Sequence, residues 1–313
     1  MNKGLQEAVV DMMHNLDFLL ELCQTGRRMN LAVACPYGDD VLGAVCEAHK
    51  RGLINGILVG DSEQIKKKAE AHGFDLKGLS FVDEKNDYAA TEKAVQMVSS
   101  KDADLLMKGF VKTAVLLHAV LNKEWGLRAG SLLSHLFLFE IPLLDRRILG
   151  ISDGGMNMYP DLNAKVGIIE NAVKCYHKIG VSNPLIAALG AVEVVNPDMP
   201  ATLDAAALTQ MNRRGQIKGC TVDGPFALDN AVSDEAARIK NIDSPVAGKA
   251  DMLLVPSIEA GNMIGKVLLY MTGGRGAGVI LGAKKPIVLT SRFDSMETKL
   301  LSIALGAVVA SKE

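Results

Sequence analysis

Short β-prone apolar runs alternate along this chain with longer helix-patterned segments, and that alternation constrains the fold more than any other feature. The runs fall at 29–35, 54–60, 103–109, 134–141, 147–152, 183–190, 250–256 and 285–291. Between most of them lie amphipathic stretches such as "DDVLGAVCEAHKRG" and "NAKVGIIENAVKCYHKIG". Successive parallel strands need a crossover, usually a helix, so the pattern predicts an α/β protein with a mainly parallel, helix-covered sheet. In such a sheet ligands bind outside the carboxyl ends of the strands. At 313 residues, two α/β domains are expected.

Composition removes several function classes. Hydrophobic residues make up 49% and charged residues 22%, as in a globular protein. A formal net charge of -2 and an aromatic content of 4% argue against a nucleic-acid partner or an anionic membrane surface. The five cysteines are scattered and never spaced as CxxC, which predicts buried reduced thiols in a cytoplasmic protein and no zinc site. The six histidines share no ligand pattern, so no metal is expected. Leu5, Val9, Met12, Leu16, Leu19 and Leu20 recur at helical spacing, with Glu7, Asp11, Asp17 and Glu21 between them. Those acids predict a soluble amphipathic helix and exclude a signal peptide or membrane span over this segment.

Three loops attract attention for phosphate. Gly261 and Gly265-Lys266 suggest a P-loop, but they are separated by three residues where four are needed. Val267 stands where the metal-binding hydroxyl belongs, so a nucleotide is not expected. What survives is a turn over Ser257–Asn262 at a helix start, suited either to an anion or to plain capping. "TGGRGAG" (272–278) follows a helix and leads toward the strand-like "VILG", and so reads as a C-cap and turn, not a dinucleotide fingerprint. Asp161 and Asp198, in two Pro-Asp-apolar segments, are expected at or near helix starts. The third loop is "PIVLTSRFDSMETKLL": an apolar strand delivers Ser291 and Arg292 to its carboxyl end, and Asp294, Ser295 and Glu297 open a final amphipathic helix. An arginine there presents a planar fork of donors to a phosphate or carboxylate, and the serine hydroxyl could donate to an oxyanion.

Four stretches together carry a family resemblance: "LLMKGFVKTAVLLHAVL" (105–121), "TVDGPFALDNAVS" (221–233), "SPVAGKADMLLVPSIEAGNMIGKVL" (244–268) and "ILGAKKPIVLTSR" (280–292). On them the chain resembles the phosphate acetyltransferase/phosphate butyryltransferase family, and looks most like its butyryl branch. The resemblance implies two three-layer α/β domains with an interdomain cleft, in an isopropylmalate dehydrogenase-like architecture. It places residues 1–133 and 288–313 in a discontinuous first domain and 134–287 in the second, with Ser291-Arg292 at the crossing. It further implies interconversion of acyl-CoA plus phosphate with acyl phosphate plus CoA by direct thiol attack. CoA and its thioester are then substrates, no cofactor is tightly bound, and a homo-oligomer is expected.

Such a reaction needs a phosphate site, an oxyanion stabiliser and a proton acceptor. By the resemblance, Arg292 would hold the phosphoryl group and Ser291 would stabilise the transition state. Gly261 and Asn262 of the "EAGN" segment would contribute a polar contact. Lys108, Lys112 and Thr113, at a strand-to-helix turn, suit a phosphate or the CoA pyrophosphate, or alternatively a solvated surface. Two departures stand out. The acetyl branch places its aspartate base where Thr298 stands here, leaving Asp294, Glu297 or phosphate itself to serve, with Asp294 preferred and helix capping its competing role. The acetyl branch also carries an arginine where Leu132 or Leu133 stands, so Arg128 would have to supply that charge, and the site would suit a larger acyl group. A non-catalytic acyl-CoA-binding relative and an NAD-dependent decarboxylating dehydrogenase of the same architecture are the alternatives.

Overall fold

The computed structural model describes residues 15–144 and 147–311. The chain divides into two compact units: Asp17–Ser131 with Ala277–Glu313, here called the flanking unit, and Leu132–Gly276 with Met1–Leu16, here called the inserted unit.

The flanking unit begins with α1 (Phe18–Gln24), β1 (Met29–Ala34), α2 (Asp39–Lys50), β2 (Ile54–Gly60) and α3 (Ser62–His72). It continues with β3 (Ser80–Asp83), α4 (Asp87–Ser99), β4 (Leu105–Lys108) and α5 (Thr113–Val120). The amphipathic helix expected over Leu5–Leu20 lies mostly outside the described residues. The inserted unit contains β5 (Ser134–Ile141), β6 (Arg147–Ser152), α6 (Leu162–Ile179), β7 (Leu185–Leu189), α7 (Pro200–Arg213) and β8 (Thr221–Phe226). It then adds α8 (Leu228–Val232), α9 (Asp234–Ile239), β9 (Met252–Leu254) and α10 (Ile258–Tyr270). β10 (Arg275–Leu281) leads back to β11 (Ile287–Val288) and α11 (Met296–Ser311) in the flanking unit.

In the flanking unit the strands run in the order β3-β2-β1-β4-β11-β10. All neighbours are parallel except β10 and β11. The chain builds β2 and β3 on one side of β1 and then crosses to β4 on the other, so the order reverses between β1 and β4. Strands covered on both faces read as continuous apolar runs, as "LAVA" and "LLM" do here. The inserted unit has the order β5-β6-β9-β7-β8, antiparallel at β5/β6 and parallel elsewhere. Its core packs Phe139, Leu149, Ile151, Leu189, Phe226 and Leu253.

Local chemistry sets the helix ends. Asp61 accepts from the N–H groups of Glu63 and Gln64 to cap α3, and Asn86 does the same for Tyr88 and Ala89 at α4. Asp161 caps α6 through the Ala164 N–H, as expected. Asp198 does not cap α7; Met199 holds that position, and Pro200 supplies a first residue that needs no donor partner. The last helix also departs from expectation. It is not amphipathic: α11 packs against α1, α2, β1, β4 and β11, and its residues 298–308 are all buried. Gly306 permits the close approach, since a Cβ there would lie 2.8 Å from the Val288 Cγ2.

Among the described residues no helix is long and apolar enough to cross a membrane.

Candidate active site

A pocket of about 400 Å³ opens at the carboxyl ends of β1, β4 and β11, at the point where the strand order reverses. Tyr37 and Gly38 line it from the β1–α2 connection, Asp39 and Asp40 from the first turn of α2, Lys108, Gly109 and Phe110 from the end of β4, and Thr290, Ser291 and Arg292 from the segment after β11. Gln64 and Lys68 of α3 and Lys299 of α11 complete most of the wall. Close packing of backbones fixes the first two connections. Gly109 donates to the Ala34 carbonyl at 2.9 Å and Phe110 to the Cys35 carbonyl at 2.7 Å. A Cβ on Gly109 would sit only 2.2 Å from the Cys35 oxygen, so this position requires glycine.

The helices that start beside the reversal differ from their neighbours. α2 begins after Gly38 and α5 after Lys112, and neither has a side-chain cap, unlike α3 and α4. Their first N–H groups are therefore left to other acceptors. Asp39 and Asp40 lie in the first turn of α2, where the helix dipole favours carboxylates. Asp39 pairs with Lys68 at 2.5 Å and with His72 at 3.4 Å. The Lys68 contact pulls the carboxyl of Asp39 below its usual range.

Positive charge dominates the inner wall. Lys108 is 5% exposed, and its ammonium donates to the carbonyls of Gly109 and Val111 at 3.2 and 3.4 Å. Burial lowers its pKa, and the charges of Arg292 and Lys299 lower it further against a smaller opposing effect of Asp294. Arg292 is exposed and stacks over the Phe110 ring, 4.9 Å from its centroid. Among the described residues no carboxylate pairs with Arg292 or Lys108. Such an arrangement suits a multiply charged oxyanion.

The Ser-Arg turn is held from beneath. The Asp294 carboxylate accepts from the Ser291 N–H at 2.7 Å, and the Ser291 carbonyl accepts from the Asp294 N–H at 3.2 Å. Asp294 is 5% exposed and is not among the residues lining the pocket. Ser295 caps α11 by accepting from the Thr298 N–H at 3.1 Å. Thr298 itself is buried, with its hydroxyl 3.2 Å from that of Ser295.

Of the residues singled out in sequence, the fold brings Lys108, Ser291 and Arg292 to one pocket, with Asp294 directly behind the turn. Lys112, Thr113 and Arg128 are exposed and do not line it, although all belong to the flanking unit. Arg128 forms a single backbone bridge to Ala283. Gly261 and Asn262 belong to the inserted unit, where the expected turn proves to be helical: Ser257 is the N-cap and α10 already runs through both residues. Gly261 is pressed against the loop after β6, and a Cβ on it would lie 2.8 Å from the Gly154 Cα. The Asn262 amide donates to the Gly154 carbonyl at 3.3 Å. That loop is fixed by Asp153, which is 1% exposed and accepts from His135 N, Gly155 N, Met156 N and the Asn157 amide at 2.6–3.1 Å.

Sequence reasoning missed Lys299, Asp40 and Tyr37. A lysine alone in "KLLSIALGAVVA" was the available signal for Lys299, since a buried ammonium needs a partner. Among the described residues no cluster of three metal-ligating side chains converges.

The family model and the curated relatives agree on one family. The family model described as "Phosphate acetyl/butaryl transferase" matches residues 85–307. The chain is 50% identical over 283 residues to the phosphate butyryltransferase of Clostridium acetobutylicum, covering 90% of this chain and 94% of that one. It is 45% identical over 295 residues to the phosphate acetyltransferase of Thermotoga maritima, covering 94% and 99%. The crystal structure of a branched-chain phosphotransacylase from Enterococcus faecalis matches with a TM-score of 0.78 at 30% identity, over 90% of this chain and 99% of that one. A parallel-sheet fold with a cation-lined pocket at its Ser-Arg turn, matched along nearly its whole length by such relatives, places this chain in the phosphate acetyltransferase/butyryltransferase family.

Proposed function

We propose that the chain interconverts acyl-CoA plus phosphate with acyl phosphate plus free CoA, with butyryl-CoA as the preferred thioester. The observation that carries this reading is the convergence of Lys108, Arg292 and Lys299 beside the Ser291 hydroxyl in one pocket. Arg292 holds the phosphoryl group through its guanidinium fork, positioned by Phe110. Ser291 donates to the oxyanion as the CoA sulfur adds to the acyl carbon. Collapse then breaks the carbon–oxygen bond to phosphate, which leaves as the thioester forms. The thiol proton goes to a carboxylate or to the departing phosphate.

Asp294 is the proposed general base that accepts the thiol proton, but its bond to the Ser291 N–H also supports a positioning role. Lys112, Thr113 and Arg128 remain substrate-binding candidates for the CoA moiety, as do Gly261 and Asn262 of the inserted unit, on the family resemblance alone. The apolar Leu132 and Leu133, where the acetyl branch carries arginine, favour a larger acyl chain. CoA acts as a substrate and not as a resident cofactor, the enzyme works in the cytoplasm, and it assembles as a homo-oligomer.

Steady-state kinetics of Arg292→Ala and Ser291→Ala test this reading. Loss of Arg292 should lower kcat/KM about 100-fold or more, mainly through KM for phosphate. Loss of Ser291 should lower kcat about 100-fold with little change in either KM. Wild-type rates in both variants would overturn the assignment of the pocket.

A further inference from the structure

Lys299, like Lys68, is an ammonium in the pocket that no motif announced, but Lys68 pairs with Asp39 at 2.5 Å while the setting of Lys299 calls for a ligand. It lies on the fully packed helix α11 and is 1% exposed, yet it reaches the pocket wall. Its ammonium donates to the Asp294 carbonyl, which uses one of three donors. Its ion pair among the described residues is the carboxylate of Asp40, 4.0 Å away and half exposed. That distance is beyond a hydrogen bond. Lys108 opposite is also buried and bonded only to carbonyls, and Arg292 is held by a ring face. Three cations therefore face two carboxylates: Asp40, half exposed and 4.0 Å from Lys299, and Asp294, which already accepts from the Ser291 N–H. Burial also lowers the pKa of Lys299, against the smaller opposing effects of Asp40 and Asp294. An oxyanion with several oxygens relieves both the burial and the mutual repulsion, because each oxygen can accept a charge-assisted bond.

We infer that Lys299 is a phosphate-binding residue, donating from Nζ to an oxygen of the same phosphoryl group that Arg292 holds, with Asp40 facing the ammonium when the phosphate is absent. This inference rests on the transacylase reading of the pocket. It makes the end of α11 part of the substrate site, and assigns Asp40 a competing role that phosphate binding must displace. The Asp294 carbonyl then serves as the fixed acceptor that aims the ammonium, since it lies in the same turn that carries Ser291.

The test compares wild type with Lys299→Met, which keeps the side chain's length and removes its charge. Two readouts are needed: KM for inorganic phosphate against KM for butyryl-CoA, and calorimetric binding of inorganic phosphate to the enzyme without CoA. The expected result is a loss of phosphate affinity of about tenfold or more in both, with KM for butyryl-CoA changed less than about threefold. An unchanged phosphate affinity in folded Lys299→Met would overturn the inference, as would a fall in kcat alone, which marks a merely structural lysine. Asp40→Asn is a second variant on the exposed first turn of α2. It should tighten phosphate about twofold or more by removing the competing carboxylate. Weakened or unchanged phosphate binding there would count against the inference even if Lys299→Met failed to fold. Because calorimetry does not depend on turnover, wild type that binds phosphate through Lys299 but releases no thiol would sink the transacylase reading and leave the binding site standing.

Discussion

Lys108 and Lys299 hold their ammonium groups in a setting that favours the neutral form, and the sign of that effect can be worked out. Both have pKa values lowered from 10.5, chiefly by burial. Between the lowered values and 10.5 the unfolded chain binds more protons than the folded one, so these two groups make stability rise with pH through that window. Below it their destabilising effect is present in full. Bound phosphate prefers the charged forms, so its affinity should fall as pH rises through the lowered pKa values toward 10.5. A pH series of calorimetric phosphate titrations checks this, and an affinity that shows no fall by pH 10.5 would contradict it. Arg292→Lys belongs to the same scale. A lysine can keep the charge but loses the planar fork and the stacking on Phe110, so phosphate affinity should fall about tenfold and not recover at low salt. Ser291 and Arg292 were legible because they end an apolar strand. Lys299 was not, because its meaning depends on which faces of α11 are buried, and helical period alone gives a polar face to any helix with one lysine.

Among the elements, the strands that sequence pattern located best are β2, β5 and β6, whose limits coincide with "INGILVG", "SHLFLFEI" and "RILGIS". β3 and β8 were missed. Both are edge strands in their units, and edge strands bury little enough to lack an apolar signature. β8 also contains Gly224 and Pro225, which the sheet tolerates only at an edge. β10 takes in Arg275–Gly278, part of the segment that was read as a turn. Glycines there admit large neighbours: a Cβ on Gly276 would lie 2.3 Å from the Phe137 ring. The tightest joint next to the pocket is β4 against the end of β1. Gly109→Ala should cost about 2–3 kcal/mol, since two carbonyl oxygens of a parallel strand pair must move to admit the methyl group. Thermal or urea unfolding measures this, and an undiminished midpoint would show that the joint gives way cheaply.

Across the whole molecule, all five cysteines are free and buried, which agrees with the reduced thiols expected from their spacing. Burial pushes Cys35 and Cys175 up to about 12 and Cys23, Cys46 and Cys220 up to about 11. A thiol-exchange reagent at pH 8 should therefore react slowly with the native protein and reach five equivalents only on unfolding. Rapid native reaction of one thiol would show that its surroundings open. The division of the chain was harder to read than its class. Alternation alone fixes α/β, but the units exchange near Ser131 and Gly276, where no change in composition marks a boundary.

The central claim is that this pocket handles phosphate during acyl transfer. The most direct measurement is release of free thiol from butyryl-CoA and from acetyl-CoA, each with and without inorganic phosphate. Release that requires phosphate, and that is faster with butyryl-CoA, is the predicted result. Folded protein that releases thiol from neither thioester, or that releases it equally without phosphate, would contradict it.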